Sequence, residues 1–245
     1  MRHSRSSMPD YGVDAPRTGV MILFAVIASL VLAGFLYMYG NGLAKTAARI
    51  IFSFSITGII VLILIWLYTR KEKFRHRNRM LNMLTWKGDE QVLDIGTGHG
   101  LLMIGAAKRL STGHSVGVDI WSKKDLSNNS PRAAITNAKL EEVINKVTVM
   151  DANAQDLPLA NSSFDYVLSN LCLHNIPDKE GRAKACSEIV RVLKPGGTAL
   201  ISDFRHTKEY ETEFKKLGLE TSRTYSLLAA PMFLYIVKAV KKEMF

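Results

Sequence analysis

The 245 residues are enough for one α/β domain of ordinary size with an appendage, and too few for two large catalytic domains. The net charge of +10 is uneven: residues 1–79 hold 11 Lys and Arg against 3 Asp and Glu, while residues 80–245 hold 21 against 19. The larger part is therefore near neutral and has no basic stripe interleaved with aromatics, which argues against nucleic acid as a partner. Cys172 and Cys186 form no CxxC pair and lie near no His at ligand spacing, so neither a disulfide framework nor a metal site is expected.

Residues 1–19 read as a cytoplasmic tail. Residues 20–39 carry no charge, and at 1.5 Å per residue they cover about the 30 Å hydrocarbon thickness of a bilayer. A second uncharged stretch, 50–68, follows a short connection containing Asn41, Gly42, Lys45 and Arg49. Each stretch predicts a transmembrane helix, because lipid offers backbone groups no partner outside one. Together they form a hairpin over 20–69.

Arg70, Lys71, Lys73, Arg75, Arg77 and Arg79 follow at once, and this basic juxtamembrane linker over 70–80 marks the cytoplasmic side. Arg2, Arg5 and Arg17 put the tail on the same side, so the chain reads as an integral membrane protein of two spans with its larger domain in the cytoplasm. A cleaved signal peptide would show a shorter apolar run and a small-x-small site before a polar start, and this chain shows neither.

From residue 81 to 245, short apolar runs alternate with amphipathic stretches, the pattern of a parallel sheet with crossover helices. Strands are expected at 91–95, 115–119, 147–151, 164–170, 197–203, 221–227 and 233–240, with helices at 101–110, 132–143, 181–193 and 208–217. The fold class is a Rossmann-like, doubly wound, seven-stranded α/β sheet preceded by two transmembrane helices. The last two strands suit an antiparallel pair at one edge.

The first strand runs into Asp94-Ile95-Gly96-Thr97-Gly98-His99-Gly100, where glycines turn the chain tightly and let a ligand lie against bare backbone. Leu101 stands where a dinucleotide fingerprint needs its third glycine, and no Gly-Lys-Ser/Thr follows, so nicotinamide and ATP are disfavoured. The helix that opens at Leu101 would offer free N–H groups to a carboxylate. The second strand ends at Asp119, where a carboxylate can take two ribose hydroxyls.

VLDIGTGHG and VGVDIW, followed in order by LPLANSSFDYVLSNLCLHNI and EIVRVLKPGGTALISDF, resemble the motifs of class I S-adenosylmethionine-dependent methyltransferases, of the type 11/25 kind, over roughly residues 81–242. The resemblance implies S-adenosylmethionine as cofactor. It implies that Asp94, Gly96, Thr97, Gly98 and Gly100 line its methionine and ribose part together with Asn170, that Asp119 holds the ribose, and that Ile120 or Trp121 packs on adenine. Asn153 stands where the family has an acid at the adenine edge, with Ala154 beside it and Asp151 two residues earlier, so that contact is open between Asn153 and Asp151.

Methyl transfer needs positioning and, for some acceptors, removal of a proton, so no metal is expected. His174 and His206 follow the fourth and fifth strands at the carboxyl edge of the sheet and are the candidate general bases. His99 is expected to sit behind the cofactor, and Cys172 to be a small hydrophobe. Ser169-Asn170-Leu171-Cys172 lacks the Pro-Pro-aromatic shape associated with methylation of planar nitrogens. Nucleic-acid bases are therefore poor candidates, and the membrane location alone makes the expected acceptor a small or lipophilic one, such as a quinone, isoprenoid or lipid head group. A membrane-protein methyltransferase and a non-catalytic cofactor-binding scaffold or sensor are the alternatives. Oligomeric state is not legible.

Overall fold

The computed structural model describes residues 8–13, 16–226 and 233–243. Helices α1 (Pro16–Tyr39) and α2 (Gly42–Leu67) pack as an antiparallel pair. Both are long and apolar enough to cross a membrane, at about 36 and 39 Å. They meet through small groups: the Ser29 and Ser55 hydroxyls lie 2.8 Å apart, and a Cβ on Gly58 would stand 2.4 Å from Val26. Their outer faces leave Phe24, Val31 and Phe54 about 70% exposed, which water would penalise and lipid would not.

The connection is shorter than expected. Asn41 caps α2 by accepting from the Ala44 N–H at 3.1 Å, so the helix starts at Gly42 rather than at residue 50 and absorbs Lys45 and Arg49. Inside α2, Ser53, Ser55 and Thr57 donate to the carbonyls of Arg49, Ile51 and Ser53, which satisfies their hydroxyls within the helix.

Beyond α2 the chain makes a π-helical turn, Tyr68–Glu72, and continues as α3 (Lys73–Leu81). The stretch expected as a basic linker is thus helical, and it has a buried side: Met80 and Leu81 pack with Leu84, Val92, Leu102, Leu168 and Leu200.

The sheet contains β1 (Gln91–Ile95), β2 (His114–Asp119), β3 (Val147–Asp151), β4 (Phe164–Asn170), β5 (Leu193–Asp203), β6 (Glu220–Ser226) and β7 (Leu234–Val240) in the order β3-β2-β1-β4-β5-β7-β6. The first five run parallel, while β7 pairs antiparallel with both β5 and β6. The expected edge pair is therefore present, with the last strand lying between β5 and β6. Residue 227, the end of the expected sixth strand, lies outside the described residues. The fifth strand starts at Leu193, earlier than expected, because a register shift between Phe164 and Tyr166 lets its first residues join the ladder.

Both faces of the sheet are covered, which explains why its strands read as apolar runs. Leu93 belongs to a core with residues of α6 (Lys179–Val192) and α7 (Thr207–Lys216), while its neighbour Val92 faces α3 and α4 (Leu101–Ala107). A third cluster joins α4, α5 (Pro131–Leu140) and Tyr11 of the N-terminal segment. The strand order reverses between β1 and β4, so a crevice opens beyond their carboxyl ends.

Candidate functional site

Gly96 and Gly98 form the turn after β1 with φ of +73° and +53°, backbone that L side chains rarely adopt. Space excludes side chains as well: a Cβ on Gly96 would stand 2.3 Å from Cys172 Sγ, and one on Gly98 would stand 2.7 Å from Leu126 Cδ2. The turn is bolted to β2, since the N–H groups of Gly96 and Thr97 both donate to the Val118 carbonyl. Asp119, at the end of that strand, accepts the Gly98 N–H at 2.8 Å on one carboxylate oxygen and the Trp121 N–H at 2.7 Å on the other.

Beyond this turn lies a cleft of about 470 Å³. Of the expected contact residues, Gly96, Gly98, Asp119, Ile120, Asn153, Ala154 and Asn170 line it. Among the two alternatives left open by the sequence, Ile120 and Asn153 are at the cleft wall, whereas Trp121 donates its indole N–H to the Asp151 carboxylate. Asn170 Oδ1 makes no directed hydrogen bond among the described residues, and Asn129, which the sequence reading missed, reaches Asp119 from a loop ten residues on.

Asp94, Thr97 and Gly100 stand elsewhere. Asp94 is buried, and one of its oxygens accepts the Thr97 hydroxyl at 2.8 Å and the Met103 N–H at 2.9 Å. The first turn of α4 is thereby capped from within the protein, and Met103 N–H is not available to an outside carboxylate. Burial pushes the Asp94 carboxyl up to about 7 against the pull of those two bonds. Gly100 precedes α4 in the left-handed region and lines neither cavity. Asp94 and Thr97 line a second, smaller chamber on the other side of the glycine turn, with Tyr11, Tyr68, Lys73 and His99.

Residues 93–201 match a family described as a methyltransferase domain. That stretch is similar to the methyltransferase domain family, and the seven-stranded sheet has the class I methyltransferase fold. It is 32% identical over 118 residues to a ubiquinone/menaquinone biosynthesis C-methyltransferase from Vibrio campbellii (47% of this chain, 41% of the relative). It is 32% identical over 130 residues to a 27-O-demethylrifamycin SV methyltransferase from Amycolatopsis mediterranei (53% and 44%). A solved SAM-dependent methyltransferase from Aquifex aeolicus shares the fold at 18% identity with a TM-score of 0.56, covering 70% of this chain and 92% of that one. The aligned part spans less than half the length of the curated relatives.

The cofactor of this class is S-adenosylmethionine, and the cleft suits it: a turn that tolerates no Cβ and a carboxylate at the end of β2.

The two candidate histidines stand in different surroundings. His174 sits in a short turn, residues Leu173–Asn175, between the cleft residues Cys172 and Asn175. Its Nδ1 lies 2.8 Å from Asp203 Oδ1, off the line of a directed hydrogen bond, so the contact is electrostatic. Asp203 is fully buried, accepts the His174 and Phe204 backbone N–H groups, and so holds the ring near the sheet edge. His206 is more exposed, adopts φ of +58°, and faces Glu209 at 3.4 Å on the flank of α7. Cys172 lines the cleft, but burial pushes its thiol far up, so it stays protonated.

Two further features had no sequence signal. His76 of α3 is buried, with Nδ1 3.1 Å from the Ser226 hydroxyl and Nε2 2.7 Å from that of Ser202; burial, then Arg79, push its imidazole down to about 4. The N-terminal segment lies on the glycine turn: Asp10 exchanges two hydrogen bonds with the Asn137 side chain, and its carbonyl accepts from His99 Nδ1 at 2.7 Å. These pairs are about a hundred or more residues apart, beyond any local pattern.

Proposed function

We propose that the chain is a membrane-anchored methyltransferase acting on a small lipophilic acceptor, with α1 and α2 spanning the bilayer and the domain from residue 81 onward in the cytoplasm. One observation carries this reading. Tyr68, at the end of α2, is buried against Leu234 and Leu171, and Leu171 directly follows Asn170 of the cleft. The spanning pair is thus joined to the sheet edge where the cleft opens, which would hold the mouth of the cleft near the lipid surface. A soluble acceptor would gain little from that arrangement. The relatives' names, one a quinone-biosynthesis enzyme and one acting on a demethylrifamycin, support a small-molecule acceptor.

When bound, S-adenosylmethionine supplies an electrophilic methyl group on a sulfonium. Asp119 would accept the ribose hydroxyls, Ile120 and Ala154 would flank adenine, and Asn153 would accept from its amine. His174 would take the acceptor's proton at Nε2, since Nδ1 faces Asp203, and the buried carboxylate would stabilise the imidazolium. The remaining work is orientation: a rigid turn and a narrow cleft hold two reactants in line.

The test is mass spectrometry of lipid extracts from cells with and without the protein. A lipophilic species heavier by one methylene only when the protein is present supports the reading, and no such species contradicts it.

A further inference from the structure

Residues 8–13 precede the first spanning helix, yet they lie against the domain that follows the second. Asn137 of α5, 2% exposed, ties them to the glycine turn. Its Oδ1 accepts the Asp10 N–H at 2.9 Å, while its Nδ2 donates to the carbonyls of Asp10 at 2.7 Å and His99 at 3.0 Å. Tyr11 is buried edge-on against Phe74 of α3 and donates its hydroxyl to Glu141 at 2.8 Å. The segment has no helix or strand of its own to satisfy its backbone, so these contacts are what fix it.

Past Tyr11 the segment meets the loop between β2 and α5. The Val13 N–H donates to Ser127 Oγ at 2.9 Å, and the Ser127 N–H donates back to the Val13 carbonyl at 3.2 Å. Gly12 turns the chain between these contacts with φ of +66°, and a Cβ on it would stand 2.9 Å from Leu126 Cδ1. The other methyl of Leu126, Cδ2, is the atom that leaves no room for a Cβ on Gly98. Leu126 is thus wedged between the N-terminal segment and the glycine turn. Its loop walls the cleft through Ser122, Lys124, Asp125, Leu126 and Asn129, and Asn129 reaches Asp119.

Resting on the methyltransferase reading above, we propose that residues 10–13 are a positioning segment of the cofactor site, acting through Leu126 and Ser127 to hold the loop over 122–129 against the nucleoside half of S-adenosylmethionine. Without that hold the loop samples open states, and apparent affinity falls with the closed fraction. The segment leads into α1 and rests on α3 behind α2, so both ends of the spanning hairpin take part in shaping the pocket.

The experiment uses the full chain in detergent. S-adenosylmethionine and 5′-methylthioadenosine, which keeps the adenosine and lacks the amino-acid chain, are titrated by calorimetry, and hydrogen exchange is followed over 120–130. Gly12→Val places a β-branched residue at a positive φ and against Leu126, and Tyr11→Ala removes the ring that seats on Phe74. Each should weaken both ligands by the same factor, about tenfold, and speed exchange of the loop amides, the Ser127 N–H among them. Tyr11→Phe, which keeps the ring, should restore most of the loss. Tyr11→Ala decides the matter if Gly12→Val fails to fold. Unchanged affinity, weakening confined to S-adenosylmethionine, or weakening with unchanged exchange over the loop would each overturn the proposal. Wild type that bound neither ligand would instead remove the methyltransferase reading on which it rests.

Discussion

The Gly98 N–H donates to the Asp119 carboxylate at 2.8 Å, so the glycine turn and the tip of the second strand form one unit that must be rigid before any ligand arrives. Asp119→Ala removes that brace as well as the proposed ribose acceptor. It should weaken cofactor binding by on the order of 2 kcal/mol or more, read by calorimetry. Gly98→Val adds a side chain where Leu126 leaves no room and φ is +53°, and should abolish binding with the far-ultraviolet circular dichroism unchanged. Normal affinity in a folded Gly98→Val variant would place the cofactor elsewhere.

The two histidines are separable by kinetics. His174→Ala should cut turnover by about a hundredfold or more with cofactor affinity within about twofold of wild type, the range general-base loss covers. Asp203→Asn should do the same less severely. His206→Ala, whose ring faces Glu209, should leave turnover within about twofold. A large effect at His206 and none at His174 would reverse the assignment.

Much of the core domain was legible because its causes are local. Val92, Leu93 and Ile95 are apolar at consecutive covered positions, Gly96 and Gly98 mark a turn with positive φ, and Asp119 ends a strand; each leaves a signature within a few residues. The chamber was not legible. Lys73 read as one of six cations that set membrane topology, and nothing near it in sequence marks a contact with Tyr11, which is 62 residues away. His76, inside the same basic run, carries no mark in the sequence and is buried between two serines. Asp94 matched its motif, yet its carboxylate serves the turn and α4 rather than the open cleft. Pattern identifies the residue type a motif requires, but it does not show which neighbour has already claimed its oxygens.

His76 and Asp94 pull stability in opposite directions across one pH window. The His76 imidazole drops from 6.5 to about 4 on folding, so between those values the unfolded chain binds the extra proton and stability rises with pH. The Asp94 carboxyl climbs from 3.8 to about 7, so there the folded chain binds the extra proton and stability falls with pH. Each contribution is roughly 3–4 kcal/mol and they largely offset. Relative to wild type, Asp94→Asn should therefore gain stability from pH 4.5 to 6.5, and His76→Gln should lose it, in thermal unfolding of the detergent-solubilised chain without cofactor. Parallel curves for all three proteins would contradict both burial arguments.

The proposed topology is open to labelling in intact cells. In a background with Cys172→Ala and Cys186→Ala, a cysteine replacing exposed Asn41 between the spans should react with an impermeant maleimide, and one replacing exposed Met8 should not. The reverse pattern would invert the orientation, and protein released by carbonate would remove the membrane assignment.

The most direct measurement is transfer of a labelled methyl group from S-adenosylmethionine into the organic extract of membranes containing the full chain, with Asp119→Ala as the paired control. Label should accumulate in a lipophilic product with wild type and fall by more than about tenfold with the variant at limiting cofactor. Label confined to protein or to water-soluble material, or equal incorporation by both proteins, would contradict a lipophilic acceptor methylated at this cleft.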